Sequence, residues 1–146
     1  MKNKGFTLIE ILGVIAIMGI IAMIALPNIV TSLKKTEENK QNVYKNAIVQ
    51  GGEIFVEQNR DLFKIRVANL KSKASMAFYI KVVDVVTTGY VQSTLTNATT
   101  GLKAADDTGC IKITMDDNQA LQYTYISLTD GTDGTSCSTA HTNIDK

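Results

Sequence analysis

The chain has 146 residues, 45% of them hydrophobic, with fifteen basic and fourteen acidic side chains and a formal net charge of +1. This length accommodates one long apolar segment and one soluble domain of roughly 100 residues, and a second soluble domain is not expected. Removing Lys2 and Lys4 would leave thirteen basic against fourteen acidic side chains, a balance that gives no indication of a nucleic-acid partner.

The first element is an apolar segment from Phe6 to Leu26, in which Thr7 and Glu10 are the only side chains that are not apolar, glycine aside. As a helix it would extend about 31 Å, the thickness of a bilayer core. A secretory signal has a shorter apolar core and an A-x-A-like site, so secretory cleavage is the weaker interpretation. Basic residues stand on both sides of the segment, and the positive-inside rule therefore leaves its orientation open.

Glu10 is the unusual residue of this segment. A charged side chain within an apolar span costs something like 2.5–3.5 kcal/mol, and such a residue normally has a partner. A cut after Gly5 would create an α-amine on Phe6, one helical turn before Glu10 and on the same helix face. The alternative is that the Glu10 carboxylate simply reaches the membrane interface.

The stretch Lys4–Glu10, with the sequence KGFTLIE, runs directly into the apolar residues that end at Pro27. This stretch closely resembles the processing site and membrane helix of type IV prepilins. The resemblance implies that a prepilin peptidase cuts between Gly5 and Phe6 on the cytoplasmic side and methylates the new Phe6 amine. It also implies that the residues after the segment lie outside.

The resemblance further implies that Glu10 complements the Phe6 amine of a neighbouring subunit during filament assembly. Gly19 and Pro27 fall where the family often has residues that weaken the helix, so the stretch between them is expected to unwind in the filament. Small residues also recur at three-residue intervals, which permits close helix contacts but equally suits an ordinary membrane helix; they are Ala16, Gly19, Ala22 and Ala25.

The partners implied by the resemblance are copies of this chain in a helical homopolymer, minor pilins, the prepilin peptidase, and the inner-membrane assembly platform with its assembly ATPase. Membrane lipid surrounds the apolar helix before assembly, and the extracellular pilus is the final location. No cofactor, no catalytic residue, no metal site and no direct nucleic-acid contact are expected.

After Pro27 the helix is predicted to continue to about Asn59, with a solvated polar stretch over residues 36–42. An apolar stripe then resumes and should pack on a sheet; its members are Val43, Ala47, Ile48, Ile54 and Phe55. Gly51 and Gly52 interrupt the stripe and each disfavours a helix by roughly 1 kcal/mol relative to alanine, which allows a bend or an early end.

The remaining elements are short. Met76–Ile80 could form a strand, and Val82, Val85 and Val86 share one face of a helix that Gly89 would stop. Apolar and polar residues alternate in 111–115 and in part of 123–128, and the turn residues 116–119 lie between these two stretches. This pattern predicts an antiparallel hairpin that packs against the long helix.

Cys110 and Cys137 are the two cysteines of the chain, and no CxxC motif or Cys/His cluster accompanies them. A disulfide on the oxidising side of a membrane is the natural interpretation, with two free buried thiols as the alternative. The bond would stabilise the fold by roughly 3–4 kcal/mol in the chain-entropy model. Pilins resemble this chain in closing a C-terminal region in the same way.

Three weaker motifs are assigned no function. The stretch 130–134 lacks the full pattern of a calcium loop, and Asn97-Ala98-Thr99 matches a glycosylation sequon that often occurs by chance. His141 is the single histidine and has no nucleophile or zinc motif beside it, so an enzyme is disfavoured.

The predicted fold class is α+β, with a long amino-terminal helix, half membrane-spanning and half amphipathic, on a small antiparallel sheet with a disulfide-closed C-terminal region. The expected organisation is a leader at 1–5, a transmembrane and filament-core helix at 6–27, and an exported globular domain at 28–146. The favoured function is a structural subunit of an extracellular type IV pilus. The alternatives are a pseudopilin of a type II secretion or competence machine and, less favoured, a monomeric membrane-anchored surface-binding protein.

Overall fold

The computed structural model describes residues 6–72, 77–128 and Cys137. Its elements, in chain order, are α1 (Leu8–Gln58), α2 (Arg60–Ser72), β1 (Phe78–Lys81), α3 (Val82–Thr87), a 3₁₀ turn (Ala104–Asp106), β2 (Cys110–Met115) and β3 (Leu121–Ile126). The chain divides into two compact units, one ending at Asn39 and one beginning at Lys40, so that α1 contributes residues to both. The predicted α+β class is confirmed.

The second unit has α1 residues from Lys40 on, α2, α3 and a three-stranded sheet in the order β1-β2-β3. Both strand pairs are antiparallel, with Phe78 opposite Ile113 in the first and Met115 opposite Leu121 in the second. The predicted hairpin is therefore confirmed, although its second strand begins and ends two residues earlier than predicted. The predicted first strand is found at Phe78–Lys81, whereas Met76 lies outside the described residues.

The hairpin turn is stabilised by Asp116. Its Oδ1 accepts hydrogen bonds from the backbone N–H groups of Asn118 at 3.0 Å and Ala120 at 2.8 Å. Gln119 takes a left-handed conformation, with φ of 63°. An aspartate that bonds to backbone donors just ahead of it is typical turn chemistry, which fixes the register of the two strands.

The buried face of α1 differs from the predicted stripe. Tyr44, Ile48 and Phe55 are buried in the main core, whereas Val43 is 62% exposed and Ile54 is 45% exposed. The stripe had placed Val43 and Ile54 on the same face as Ile48 and Phe55, which is wrong. Apolar side chains occur on more than one side of this helix. The sequence pattern therefore did not indicate which side packs against the sheet.

Gly51 and Gly52 do not end α1, which continues to Gln58. A Cβ atom at Gly51 would lie 2.2 Å from Cγ2 of Val91, and one at Gly52 would lie 2.3 Å from Cδ1 of Ile111. Both distances are far below a van der Waals contact. The two glycines therefore let α1 approach the sheet and the segment after α3 closely, and this packing offsets their low helix propensity.

We expect Gly51→Val to destabilise the fold by about 1–3 kcal/mol, because the added methyl groups cannot be placed without displacing neighbours. Chemical denaturation of the full-length protein in detergent micelles, followed by tyrosine fluorescence, measures this change. Gln50→Val is the matched control, since Gln50 is exposed on the same helix and its replacement should change stability by less than about 0.5 kcal/mol. Equal stability of the two variants would contradict the packing role of Gly51.

Helix α2 is an element that the sequence analysis did not predict. Phe63, Val67 and Leu70 recur at helical spacing, and Phe63 and Leu70 are each 3% exposed. The carbonyl of Asn59 accepts the first backbone hydrogen bonds, from Leu62 at 3.0 Å and Phe63 at 3.4 Å. The Phe63 ring packs 5.8 Å from those of both Phe55 and Phe78, which joins α2 to α1 and to β1.

Helix α3 agrees with its prediction. Val82, Val85 and Val86 are its buried residues, and Gly89 follows the helix with a φ of +87°. A glycine in this left-handed conformation ends many helices, because it lacks the Cβ atom that makes the conformation sterically unfavourable for other residues. The helix buries its valines in the main core.

A buried polar cluster fixes the segment between α3 and β2. The Asp107 carboxylate accepts hydrogen bonds from the Tyr44 hydroxyl, from the Tyr125 hydroxyl at 2.8 Å and from the Gly109 backbone N–H at 2.7 Å. Asn97 donates from Nδ2 to the Tyr125 hydroxyl at 3.3 Å. Burial, together with Asp107, raises the pKa of Tyr44 well above its ordinary value. The cluster thus connects α1, β3 and this segment through satisfied polar groups.

Cys110 and Cys137 form a disulfide, with their Cα atoms 5.6 Å apart. Both residues are buried, and they form a small separate core with Ile126. The predicted pairing is confirmed, and free thiols at these two positions are excluded. Because Cys110 is the first residue of β2, the bond holds Cys137 against one end of the sheet.

Candidate assembly site in the amino-terminal helix

In the first unit, none of the described side chains from residue 6 onward is buried. The side chains of residues 6–24 are all exposed, and the most apolar 18-residue window of α1 has no buried residue. By length and composition this helix could cross a membrane. An apolar surface of this size requires either lipid or other protein around it, because its exposure to water is unfavourable.

Glu10 lies at the start of α1. Thr7 precedes the helix, and its carbonyl accepts the backbone N–H groups of Glu10 at 3.1 Å and Ile11 at 3.3 Å. Oε2 of Glu10 accepts from the backbone N–H and the hydroxyl of Thr7, each at 3.4 Å. The T-x-x-E sequence, a local signal that the sequence analysis missed, makes one of the two bonds of a capping box, from the Thr7 N–H to the Glu10 carboxylate.

Both bonds from Thr7 to Glu10 are long, because N–H···O bonds usually measure about 2.7–3.2 Å and O–H···O bonds about 2.5–3.0 Å. The Glu10 side chain is also exposed. Glu10 is therefore held only weakly by Thr7, and its carboxylate is accessible to a stronger partner. A positive charge at the beginning of the helix would be such a partner, because a carboxylate in an apolar environment needs one.

Phe6 stands immediately before this box and is 81% exposed. Residues 1–5, which the sequence analysis predicted to be a leader, lie outside the described residues. Chain connectivity alone puts the Phe6 nitrogen one residue before the Thr7 N–H that Glu10 contacts. Cleavage before Phe6 would thus place a new amine beside the same carboxylate.

Gly19 and Pro27 are both inside α1. A Cβ at Gly19 would meet nothing within 4 Å, so no packing among the described residues requires glycine there. Pro27 has no N–H to donate to the preceding turn, and the Asn28 side chain donates to the Ile24 carbonyl at 3.3 Å. Intrinsic helix propensity is lower than that of alanine by roughly 1 kcal/mol for glycine and about 3 kcal/mol for proline, although α1 is continuous through both positions.

One of the three weaker motifs, the sequon at Asn97, lies within the described residues. Asn97 is 2% exposed, and its Oδ1 accepts from the N–H groups of Thr99 at 2.9 Å and Thr100 at 3.2 Å. It forms a turn and joins the buried polar cluster, a structural role that the sequon match did not reveal. The stretch 130–134 and His141 lie outside the described residues.

Two comparisons with known proteins find similarities, one to a family model and one to a pilus component. Residues 1–26 match the family model of the prokaryotic N-terminal methylation motif. The chain is also 41% identical over 56 residues to the type IV wide pilus major component PilA4 of Thermus thermophilus. The match covers 38% of this chain and 43% of that relative, so less than half of each is compared. No solved structure matches the chain significantly.

Proposed function

We propose that this chain, whose amino terminus carries the methylation motif of type IV pilins, is a subunit of a type IV pilus. The observation that carries the proposal is the fully exposed apolar helix with Glu10 in its first turn. A helix of this kind suits lipid before assembly and the interior of a filament after it. The relative in Thermus thermophilus is described as a pilus component, which supports a pilus over a monomeric surface anchor.

The first step is processing of the leader. A prepilin peptidase cuts between Gly5 and Phe6 and methylates the Phe6 nitrogen. The cut converts an amide nitrogen into an amine that is positively charged at neutral pH. Removing residues 1–5 also removes the charges of Lys2 and Lys4, and the apolar helix then begins at Phe6 with that single cation.

The second step is docking of a new subunit at the filament base. There the Glu10 carboxylate of one subunit pairs with the Phe6 amine of a neighbour, so that both charges are neutralised within an apolar bundle. The long bonds from Thr7 to the Glu10 carboxylate are exchanged for a pair between two opposite charges, which usually lies at a shorter distance and is stronger. Such a pair selects the axial register of two helices, because an unpaired charge in the bundle is costly.

Growth of the filament is driven by contacts of the apolar helices once they leave the lipid. Without water in either environment, close packing and polar pairing supply the association energy, and small residues such as Gly19 allow helices to approach. The stretch between Gly19 and Pro27 unwinds in the assembled filament. The inner-membrane platform, the assembly ATPase and minor pilins complete the machinery, and the second unit forms the outer surface of the extracellular pilus.

Substituting Gly5 tests the cleavage site. We expect Gly5→Val to lower the cleaved fraction several-fold, because a branched side chain would obstruct the peptidase at the scissile bond. Intact mass of the protein from membranes measures the ratio of full-length to cleaved chain. Gly13→Val is the control, since a Cβ at Gly13 would have open space within 4 Å and cleavage should remain at the wild-type level. Normal cleavage of Gly5→Val would contradict the assigned site.

Filament length separates a pilus from a pseudopilus. Electron microscopy of sheared surface fractions should show long filaments that disappear when this chain is deleted. Their absence, with the processed subunit retained at the membrane, would favour a pseudopilin of a secretion or competence machine.

A further inference from the structure

An open groove of about 430 Å³ lies beside α2 and the turn of the β2–β3 hairpin. Its floor is apolar and is built from Phe63 and Val67 of α2 with Met115 and Leu121 from the two sides of the turn. Phe63 is buried, and the other three are half-buried. We call this cavity the basic groove because of the residues along its edge.

The edge of the basic groove is positively charged. Arg60, Lys64 and Lys71 of α2 all line it, and their separations of four and seven residues place them on one side of the helix. The guanidinium of Arg60 is bound by the Glu57 carboxylate, with Nε donating to Oε2 at 2.9 Å. Glu57 thus compensates Arg60, and the charge of the edge comes from the exposed ammonium groups of Lys64 and Lys71.

We propose that the basic groove binds a single-chain amphiphile with an anionic head group. The apolar floor would cover the alkyl chain, since burying each methylene from water is favourable. The ammonium groups of Lys64 and Lys71 would bind the sulfate, carboxylate or phosphate head by charge-assisted hydrogen bonds. The exposed amide side chain of Gln119 lines the same groove beside Leu121 and offers a further donor.

The size of the basic groove favours a small molecule over a protein. Small-molecule sites typically measure about 300–1,000 Å³, and this groove falls in that range. A stable protein contact buries roughly 800 Å² on each partner, which a cavity of this size does not supply by itself. The charge of its edge selects an anion over a neutral or cationic amphiphile.

Methionine methyl NMR on the full-length protein in phosphatidylcholine nanodiscs tests the proposal. The chain has five methionines, of which Met115 lines the groove and Met18 and Met23 lie in the apolar helix. Titration with decyl sulfate should shift the Met115 methyl resonance saturably, and Met115→Leu assigns that resonance. The Met18 and Met23 resonances report partitioning of the probe into lipid.

Charge variants make the test specific. The double variant Lys64→Gln/Lys71→Gln should weaken decyl sulfate binding at Met115 at least tenfold. Lys45→Gln changes an exposed lysine of α1 outside the groove and should change the affinity less than twofold. Decyltrimethylammonium, which has the same chain and the opposite charge, should leave the Met115 resonance unchanged.

Three results would overturn the proposal. One is a Met115 shift that does not saturate and is equal in all variants, which would indicate lipid partitioning only. Another is an equal response to decyltrimethylammonium. The third is a Met115 resonance that shifts with protein concentration in the absence of probe, which would assign the basic groove to a second copy of the chain.

Discussion

Replacing Glu10 with alanine is expected to leave cleavage after Gly5 largely intact and to lower the yield of surface filaments about a hundred-fold or more. The substitution removes the anion that neutralises the Phe6 amine of a neighbouring subunit. An uncompensated charge in an apolar span costs about 2.5–3.5 kcal/mol, and each 1.4 kcal/mol changes an equilibrium tenfold. Quantitative immunoblots of sheared filaments and of membranes measure assembly and cleavage separately.

Three control variants separate charge pairing from helix capping. Glu10→Gln keeps the length of the side chain but not its charge, and should fail in the same way as Glu10→Ala. Thr7→Ala removes only the hydroxyl that contacts Glu10, and should reduce assembly less than tenfold, because a single exposed hydrogen bond contributes about 1 kcal/mol. Glu37→Gln changes an exposed glutamate of α1 beyond the apolar segment and should assemble normally.

The pairing hypothesis fails if Glu10→Gln subunits alone form filaments in normal yield. It would also fail if Thr7→Ala were as severe as Glu10→Ala, because the carboxylate would then act through the helix cap.

Asp107→Ala is expected to destabilise the second unit by about 3–5 kcal/mol. The carboxylate is 7% exposed and accepts from the hydroxyls of Tyr44 and Tyr125 and from the Gly109 N–H. Alanine would leave three buried donors without an acceptor, and each unsatisfied group costs about 1–3 kcal/mol. The expected loss is smaller than the sum of three such penalties, because the tyrosines can rearrange and satisfy part of their hydrogen bonding.

Chemical denaturation of the full-length protein in micelles measures this loss. The five tyrosines all lie between residues 44 and 125, so that near-ultraviolet circular dichroism reports on the second unit. Asp106→Ala is the matched control, because Asp106 is the exposed neighbour and its removal should cost less than about 0.5 kcal/mol. A loss at Asp107 as small as that at Asp106 would show that the buried polar cluster contributes little to stability.

The features that the sequence predicted correctly share a local cause. The apolar run with its charged residue, the alternation of β2 and β3, and the valine spacing of α3 each depend on side chains within a few positions of one another. Such patterns repeat with the period of the element that they form, about 3.6 residues for a helix and 2 residues for a strand. The disulfide is the exception, because its cysteines lie 27 residues apart and it was predicted from the oxidising compartment expected for the residues after the apolar segment.

The features that the sequence analysis missed have two different causes. Local signals were present for α2, in the spacing of Phe63, Val67 and Leu70, and for the contact of Thr7 with Glu10, in their T-x-x-E sequence. No local signal exists for the buried polar cluster, because Tyr44 lies 63 residues and Tyr125 lies 18 residues from Asp107. Long-range polar contacts of this kind depend on how the elements pack.

Gly51 and Gly52 show why packing can reverse a local preference. Their low helix propensity allowed a bend or an early end, yet the space they leave is where Val91 and Ile111 fit. The sequence contains the glycines and their partners about 40 and 60 residues apart, and only the tertiary structure brings them together. Tertiary contacts routinely override propensities of about 1 kcal/mol in this way.

The most direct test of the proposed function is intact mass and amino-terminal sequencing of this protein, recovered both from membranes and from sheared surface filaments. We predict a chain in the filaments that begins at N-methylated Phe6 and lacks residues 1–5. A filament-associated chain that retains Met1–Gly5 would contradict the account, because the amine that is to pair with Glu10 would not exist.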